Sequence, residues 1–332
     1  MTANILTALD ARAQAARRFA LQALSLADAG FGPASADASF RRYFRLTAGA
    51  DSWVVMDAPP EREDCKPFLH VAQLLLDAGL NGPRVLAQDL EQGFLLLSDL
   101  GHQTFLHVLT GDNADALFTA AIAALVQWQQ ASRPDVLPPY DPALLARELA
   151  LFPDWYVAKH LGRSFTPQQQ GWWDETCALL IARASAQSRV FVHRDYMPRN
   201  LMLSTPNPGV LDFQDAVYGP ISYDVVSLFK DAFASWPAER VAVWRKQYWD
   251  AARAADLPVP ADYSAFVRDF DLMGLQRHLK VLGIFARINY RDGKPHYLAD
   301  TPRFIRYVRE VVDGDAELLP LKQLFDSLDL HA

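Results

Sequence analysis

The sequence predicts an α+β protein of two lobes, and three observations carry that expectation. The chain has 332 residues, which at about 150 residues per domain amounts to two units. Strand-like segments crowd ahead of Asp99, whereas helical periodicity dominates from 114 onward. Nothing between them reads as a flexible linker, so the division is placed at the composition change over 99–101, with a small sheet-containing lobe over 1–99 and a larger, mainly helical lobe over 100–332.

Over 8–26 the apolar residues Leu9, Ala13, Ala16, Phe19, Ala20, Ala23 and Leu24 recur at three- and four-residue steps, the spacing of one helix face, and Gly30, Gly32 and Pro33 end it. Two β-like runs, 42–46 and 53–56, flank a turn-prone stretch, 47–51, of hairpin length. After Pro59-Pro60 a second amphipathic helix, carrying Phe68, Leu69, Ala72, Leu75 and Leu76, stops at Gly79, and strand-like segments at 84–87 and 94–98 extend the sheet. Further helices are expected over 116–130, 143–161, 167–186, 222–233, 238–254, 263–288 and 303–313. Strand signal survives there in two short places only, 190–193 and 209–213, either side of a polar segment ending in Leu201-Met202-Leu203. A hairpin-like insertion of this kind suits a loop-borne active site.

Composition narrows the function classes. With 51% hydrophobic and 21% charged residues the chain is neither disordered nor fibrous. A net charge of −7 without a long lysine or arginine run argues against a nucleic-acid partner. Cys65 and Cys177 are far apart and have no short-spaced metal ligand beside them, so two reduced thiols are expected rather than a disulfide or a zinc site. Apolar runs such as 120–126 are too short to span a membrane, and 1–10 lacks a basic start followed by an apolar core. The expectation is a cytoplasmic monomer without nucleic-acid or membrane partners.

The segment His193-Arg194-Asp195-Tyr196-Met197-Pro198-Arg199-Asn200 reads H-R-D-x-x-x-x-N, and Asp212, in Leu211-Asp212-Phe213, follows twelve residues beyond Asn200. That order and spacing is the catalytic-loop pattern of protein-kinase-like enzymes. Transfer of a γ-phosphoryl group needs a carboxylate that accepts the hydroxyl proton and aligns the oxygen, a task suited to Asp195. It also needs oxygen ligands for Mg²⁺, which prefers hard donors, and Asn200 with Asp212 supply an amide oxygen and a carboxylate. Taken singly, Asp195 and Asn200 fit turn and capping bonds equally well; the whole string favours catalysis. His193 and Arg194 are expected to brace the loop.

On these residues the chain resembles the aminoglycoside phosphotransferase and choline kinase group over nearly its whole length. The resemblance implies a two-lobed protein-kinase-like fold. Within that group, 37–45, Met56-Asp57-Ala58-Pro59-Pro60, 192–200 and Asp212-Phe213-Gln214-Asp215-Ala216 running to Gly219-Pro220 are most similar to the bacterial anomeric sugar kinases of cell-wall recycling. That likeness implies Mg²⁺-dependent in-line transfer from ATP to C1 of an amino sugar, N-acetylmuramate or N-acetylglucosamine, with Asp195 as base and Asn200 and Asp212 on the metal. It also implies that Ser98 and Asp99 lie in the hinge against which adenine packs, and that Asp224 supports the catalytic loop, although a simple helix-end carboxylate remains an open reading of that residue. Another small acceptor, such as an aminoglycoside or an amino alcohol, and a non-catalytic nucleotide-binding regulator are the alternatives.

Two features depart from the kinase pattern. The phosphate-covering loop is usually glycine-rich, yet 34–40 contains no glycine; Ser35, Ser39, Arg41 and Arg42 are the candidate donors there, with a solvated face as the other reading of the arginines. The strand that should carry the phosphate-clamping lysine reads Trp53-Val54-Val55-Met56-Asp57, and the helix over 66–78 has no glutamate to pair with one. Either Lys66 or an arginine of the preceding hairpin replaces that charge, or the phosphates rest on Mg²⁺ and backbone. For the acceptor, Asp215, Tyr218, Arg287, Asn289 and Arg291 are the candidates, since aromatic faces pack on sugar rings, carboxylates bond hydroxyls, and a guanidinium suits a lactyl carboxylate.

Overall fold

The computed structural model describes residues 10–35 and 41–331, so the candidate Ser39 lies outside the described residues. Two compact units form, one from Met1–Gln103 with Met202–Asp215, the other from Thr104–Leu201 with Ala216–Ala332. The stretch 202–215, assigned from sequence to the helical lobe, thus belongs to the first unit: the Phe213 ring packs 4.8 Å from that of Phe68, and Asn81 Nδ2 donates to Ser204 Oγ at 2.9 Å.

In the first unit α1 (Ala11–Ala23) starts at Asp10, whose carboxylate accepts the Ala13 N–H at 2.7 Å. Then come β1 (Gly30–Ser35), β2 (Arg42–Ala48), β3 (Asp51–Asp57), α2 (Lys66–Asp77), β4 (Val85–Asp89) and β5 (Phe94–Ser98), the strands ordered β1-β2-β3-β5-β4 with every neighbouring pair antiparallel. β1 was not legible, because its glycines and Pro33 read only as a helix stop; as an edge strand it tolerates the proline, and Phe31 stacks on Phe44 at 4.8 Å. The β2–β3 turn is tighter than the expected 47–51: pairing continues to Ala48 opposite Asp51, and Gly49 takes φ +64°. Phe44, Val55 and Leu96 sit opposite one another across three strands and, with Leu46 and Phe94, bury one sheet face against Ala13, Ala16, Ala20 and Leu21 of α1.

The second unit holds α3 (Phe105–Val108), α4 (Ala114–Gln130), α5 (Pro142–Leu149) and, after a π-helical segment over Phe152–His160, α6 (Pro167–Ala186). Along the chain follow β6 (Arg189–Val192), the short β7 (Leu201–Met202) and β8 (Gly209–Val210), which from Met202 on are part of the first unit, and then β9 (Val217–Pro220), α7 (Tyr223–Phe229), α8 (Ala238–Ala254), the thirty-residue α9 (Tyr263–Asp292), α10 (Thr301–Val312) and α11 (Leu319–Ser327) of the second. The expected hairpin between 190–193 and 209–213 is instead two interleaved pairs, β6 with β9 and β7 with β8; β9 reads Val-Tyr-Gly-Pro, and its last two residues mask the strand. The single helix expected over 143–161 breaks where Pro153, which lacks an N–H, enters the π segment. None of the described helices is long and apolar enough to cross a membrane.

Buried side chains of α9, among them Leu272, Leu275, Leu279 and Leu282, form a core with Phe152, Tyr156, Phe304 and Phe325. At Gly283 the backbones meet so closely that a Cβ would lie 2.3 Å from the Leu151 carbonyl carbon and oxygen. Gly283→Ala is therefore expected to cost about 1–3 kcal/mol as an overpacked crossing. Urea denaturation checks this, and an unshifted midpoint would contradict it.

Candidate active site

β6 delivers the chain into the H-R-D segment, and the loop is held from beneath by α7. Asp224, wholly buried in the first turn of that helix, accepts the His193 N–H on Oδ2 at 2.6 Å and the Arg194 N–H on Oδ1 at 3.0 Å. Arg194 takes φ +75°, a region that disfavours side chains with a Cβ. Two inward anchors follow, the Asp195 N–H donating to His193 Nδ1 at 3.3 Å and the buried Tyr196 hydroxyl donating to the Ala121 carbonyl at 2.8 Å. Asn200 ends a 3-10 turn over Pro198–Asn200, and its Nδ2 donates to the Asp195 carbonyl at 2.9 Å, closing the loop on itself. His193, Arg194, Asp195, Asn200 and Asp224 are therefore brought together in one bonded loop, with Asp195 half-buried at its turn.

Arg194 reaches behind the loop to a buried carboxylate that the sequence reading did not single out. Glu148, near the end of α5, accepts from Arg194 Nη2, from Lys280 Nζ at 2.8 Å, from Gln276 Nε2 at 3.2 Å and from the Tyr140 hydroxyl, while Lys280 also donates to the Tyr223 hydroxyl at 3.0 Å. A signal for this cluster was present in the sequence: Glu148 lies beside the buried Leu145 and Leu149, and Lys280 interrupts the apolar run Leu279 to Leu282. Burial pushes the Glu148 carboxyl up, but the charges of Lys280 and Arg194 outweigh it and hold it at about 2. For Asp224 burial dominates the opposing pull of the two N–H donors, and the carboxyl rises to about 7.

The acceptor candidates of this unit separate along α9 and β9. Tyr218 is fixed by its backbone, donating its N–H to the Pro138 carbonyl at 2.8 Å, and its ring lies edge-on to Phe191. Arg287, Asn289 and Arg291 occupy the last turns of α9. At 1.5 Å per residue Arg287 is about 10 Å and Arg291 about 16 Å along the axis from Lys280. Arg291 is exposed and forks onto its neighbour Asp292 at 2.7 and 2.9 Å, whereas the half-buried Arg287 has no hydrogen-bond partner at Nε among the described residues.

In the first unit the hinge and hairpin candidates are strongly paired. Asp99 is bridged by Arg45 Nε at 2.6 Å and Nη2 at 3.0 Å and accepts the Gly101 N–H at 2.9 Å. Burial would raise the Asp99 carboxyl, yet these bonds leave it below its ordinary value. Ser98 Oγ accepts the Arg84 N–H at 2.8 Å. Arg42 bonds the fully buried Asp57 at 2.6 and 3.0 Å and also Asp10, Arg12 bonds Asp57 at 2.7 Å, and Arg41 pairs with Glu63 at 2.9 Å. Each hairpin arginine thus meets a carboxylate of its own unit, and Lys66 is exposed at the start of α2. Ser35 closes β1 opposite Tyr43. Asp212 follows β8 at φ +62°, exposed, with Gln214 Nε2 donating to its Oδ1 at 2.9 Å, and Asp215 is exposed at the end of the same segment.

Residues 31–265 match the phosphotransferase enzyme family, and the chain belongs to that family. It is a phosphotransferase. The N-acetylmuramate/N-acetylglucosamine kinase of Pseudomonas aeruginosa is 59% identical to it over 296 residues, covering 89% of this chain and 88% of that protein. A kinase of the same name from Neisseria meningitidis serogroup B is 51% identical over 300 residues, covering 89% of each. Among solved structures, the choline kinase LicA from Streptococcus pneumoniae superposes with a TM-score of 0.64 at 11% identity, covering 90% of this chain and 99% of that one. An ADP-bound aminoglycoside phosphotransferase does so at 0.60 and 14% identity, over 91% and 99%. These two share the fold, which is the two-lobed, protein-kinase-like α+β architecture.

The two carboxylates that grip the loop have opposite linkage to pH. Asp224 is raised from its ordinary 3.8 to about 7, so its contribution to stability is complete below pH 3.8 and is lost as pH rises to about 7. Glu148 is depressed from 4.5 to about 2, so its contribution is present above pH 4.5 and is lost as pH falls to about 2. Urea denaturation across that range is expected to show Asp224→Asn gaining on the wild type as pH rises toward 7, and the deficit of Glu148→Gln shrinking below pH 4.5. A pH-independent difference for either variant would contradict the assigned direction.

Proposed function

We propose that this chain transfers the γ-phosphoryl group of ATP to the anomeric hydroxyl of N-acetylmuramate and N-acetylglucosamine. The observation that carries the reading is the bonded H-R-D loop with Asp195 at its turn, in a chain more than half identical to kinases named for those two sugars. Asp195 orients the C1 hydroxyl and takes its proton as the oxygen attacks phosphorus in line with the departing ADP oxygen. The anomeric hydroxyl is more acidic than a simple alcohol, which lowers the demand on the base.

Asn200 and Asp212 present hard oxygen donors suited to Mg²⁺, and because the Asn200 amide nitrogen donates to the Asp195 carbonyl, the oxygen is the ligating atom of that amide. Bound there, the metal would neutralise charge on the nucleotide phosphates. In this reading adenine meets the backbone of 98–101, because the side chains of Ser98 and Asp99 are committed to the Arg84 N–H and to Arg45. Arg41 and Arg42 keep their pairs with Glu63 and Asp57, so in this reading the phosphates would rest on Mg²⁺ and backbone N–H groups. Asp215, Tyr218 and Asn289 face the sugar. Arg287 is the better candidate for the lactyl carboxylate, since Arg291 is already forked onto Asp292.

The product is expected to be the α-1-phosphate, and phosphorus NMR showing phosphate only at C6, or none, would overturn the assignment. Asp195→Asn should keep nucleotide binding, read by thermal shift with Mg-ATP, while kcat falls about 10²–10⁴-fold. Retained turnover would remove Asp195 from the base role.

A further inference from the structure

Arg194 occupies a backbone conformation that glycine adopts without cost, yet the residue there carries a long side chain. That side chain runs inward to Glu148, in a cage where Lys280, Gln276 and Tyr140 converge on the same carboxylate and Glu148 and Lys280 are both buried. Lys280 extends the cage to the Tyr223 hydroxyl, and the next residue, Asp224, grips the backbone N–H groups of His193 and Arg194. The catalytic loop is thus tied twice, by its backbone to α7 and by one guanidinium to Glu148 of α5, which Gln276 and Lys280 of α9 hold in turn.

We infer that Glu148 and Lys280 are positioning residues for phosphoryl transfer, acting through Arg194 to hold the left-handed turn that fixes where Asp195 meets the acceptor. Neither touches the reacting atoms. Their effect is on geometry, and a misplacement of about 1 Å can cost two orders of magnitude in rate. The inference rests on the reading of Asp195 as the base.

A kinetic double-mutant cycle between Glu148→Gln and Arg194→Gly tests it, because glycine keeps the turn and deletes only the tether. Glu148→Gln alone is expected to lower kcat about tenfold or more, with KM for ATP within about twofold of the wild type. In the Arg194→Gly background the same change should have no further effect. Circular dichroism at the assay temperature sets the folded fraction, and if Glu148→Gln does not fold, Lys280→Met takes its place in the cycle, leaving the Glu148–Arg194 pair neutral overall. Unchanged kcat, a loss confined to KM, a loss that only tracks the folded fraction, or additive losses would each overturn the inference. An active Asp195→Asn enzyme would instead overturn the reading beneath it, whereas an inactive one beside a fully active Glu148→Gln enzyme would overturn this inference alone.

Discussion

A carboxylate without solvent contact, Asp224, accepts two consecutive backbone N–H groups, and the geometry of the H-R-D loop follows from that fork. Each bond to the ionised group stabilises by roughly 1.5–3 kcal/mol, which offsets part of the cost of burying it. Immediately past that fork the chain turns at Arg194, whose φ of +75° carries it away from α7 into Asp195. The constraint propagates outward: β6 must end at Val192, α7 must begin at Tyr223, and the β6–β9 pairing holds the strand feeding the loop against the one leading into the helix.

The first unit uses arginine–carboxylate pairs at comparable points. Asp57 closes β3 with no exposure and is satisfied by Arg12 from α1 and by Arg42, its partner across the β2–β3 ladder. Asp99 is held by Arg45 one step beyond β5. A buried carboxylate left alone would be strongly destabilising, so these arginines are structurally committed. The absence of a clamping lysine on β3 is therefore not repaired by a spare guanidinium in β2.

Much of this was legible in the sequence. The first-lobe helices follow from periodicity and β2 alternates along its core-facing stretch, whereas β3 and β5 are legible as short apolar β-like runs, β5 being buried on both faces over 94–97. β1 and β9 escaped notice because Gly30, Gly32, Pro33, Gly219 and Pro220 carry turn-like signals, while their strand character comes from a neighbour supplied by tertiary structure. The π segment was hidden because a hydrophobic period does not distinguish i+4 from i+5 bonding over two turns. At the loop, the H-R-D-x-x-x-x-N string located His193, Arg194, Asp195 and Asn200, whereas Asp224 entered only through the family resemblance, beside its reading as a simple helix-end carboxylate. Glu148 and Lys280 come from helices 132 residues apart, and only folding shows that a lone acid and a lone base on two apolar faces are one pair.

The thirty-residue α9 has a consequence of its own. Lys280 in its middle bonds the carboxylate that holds Arg194 of the H-R-D loop, while Arg287 and Arg291 near its end are the acceptor candidates, and Gly283 between them pins the helix against the Leu151 backbone. One stiff rod with a fixed fulcrum couples the two ends. Mutations that re-tailor the acceptor end should therefore show epistasis with residues of the loop cage, so that a change tolerated in one homologue fails when transplanted into another.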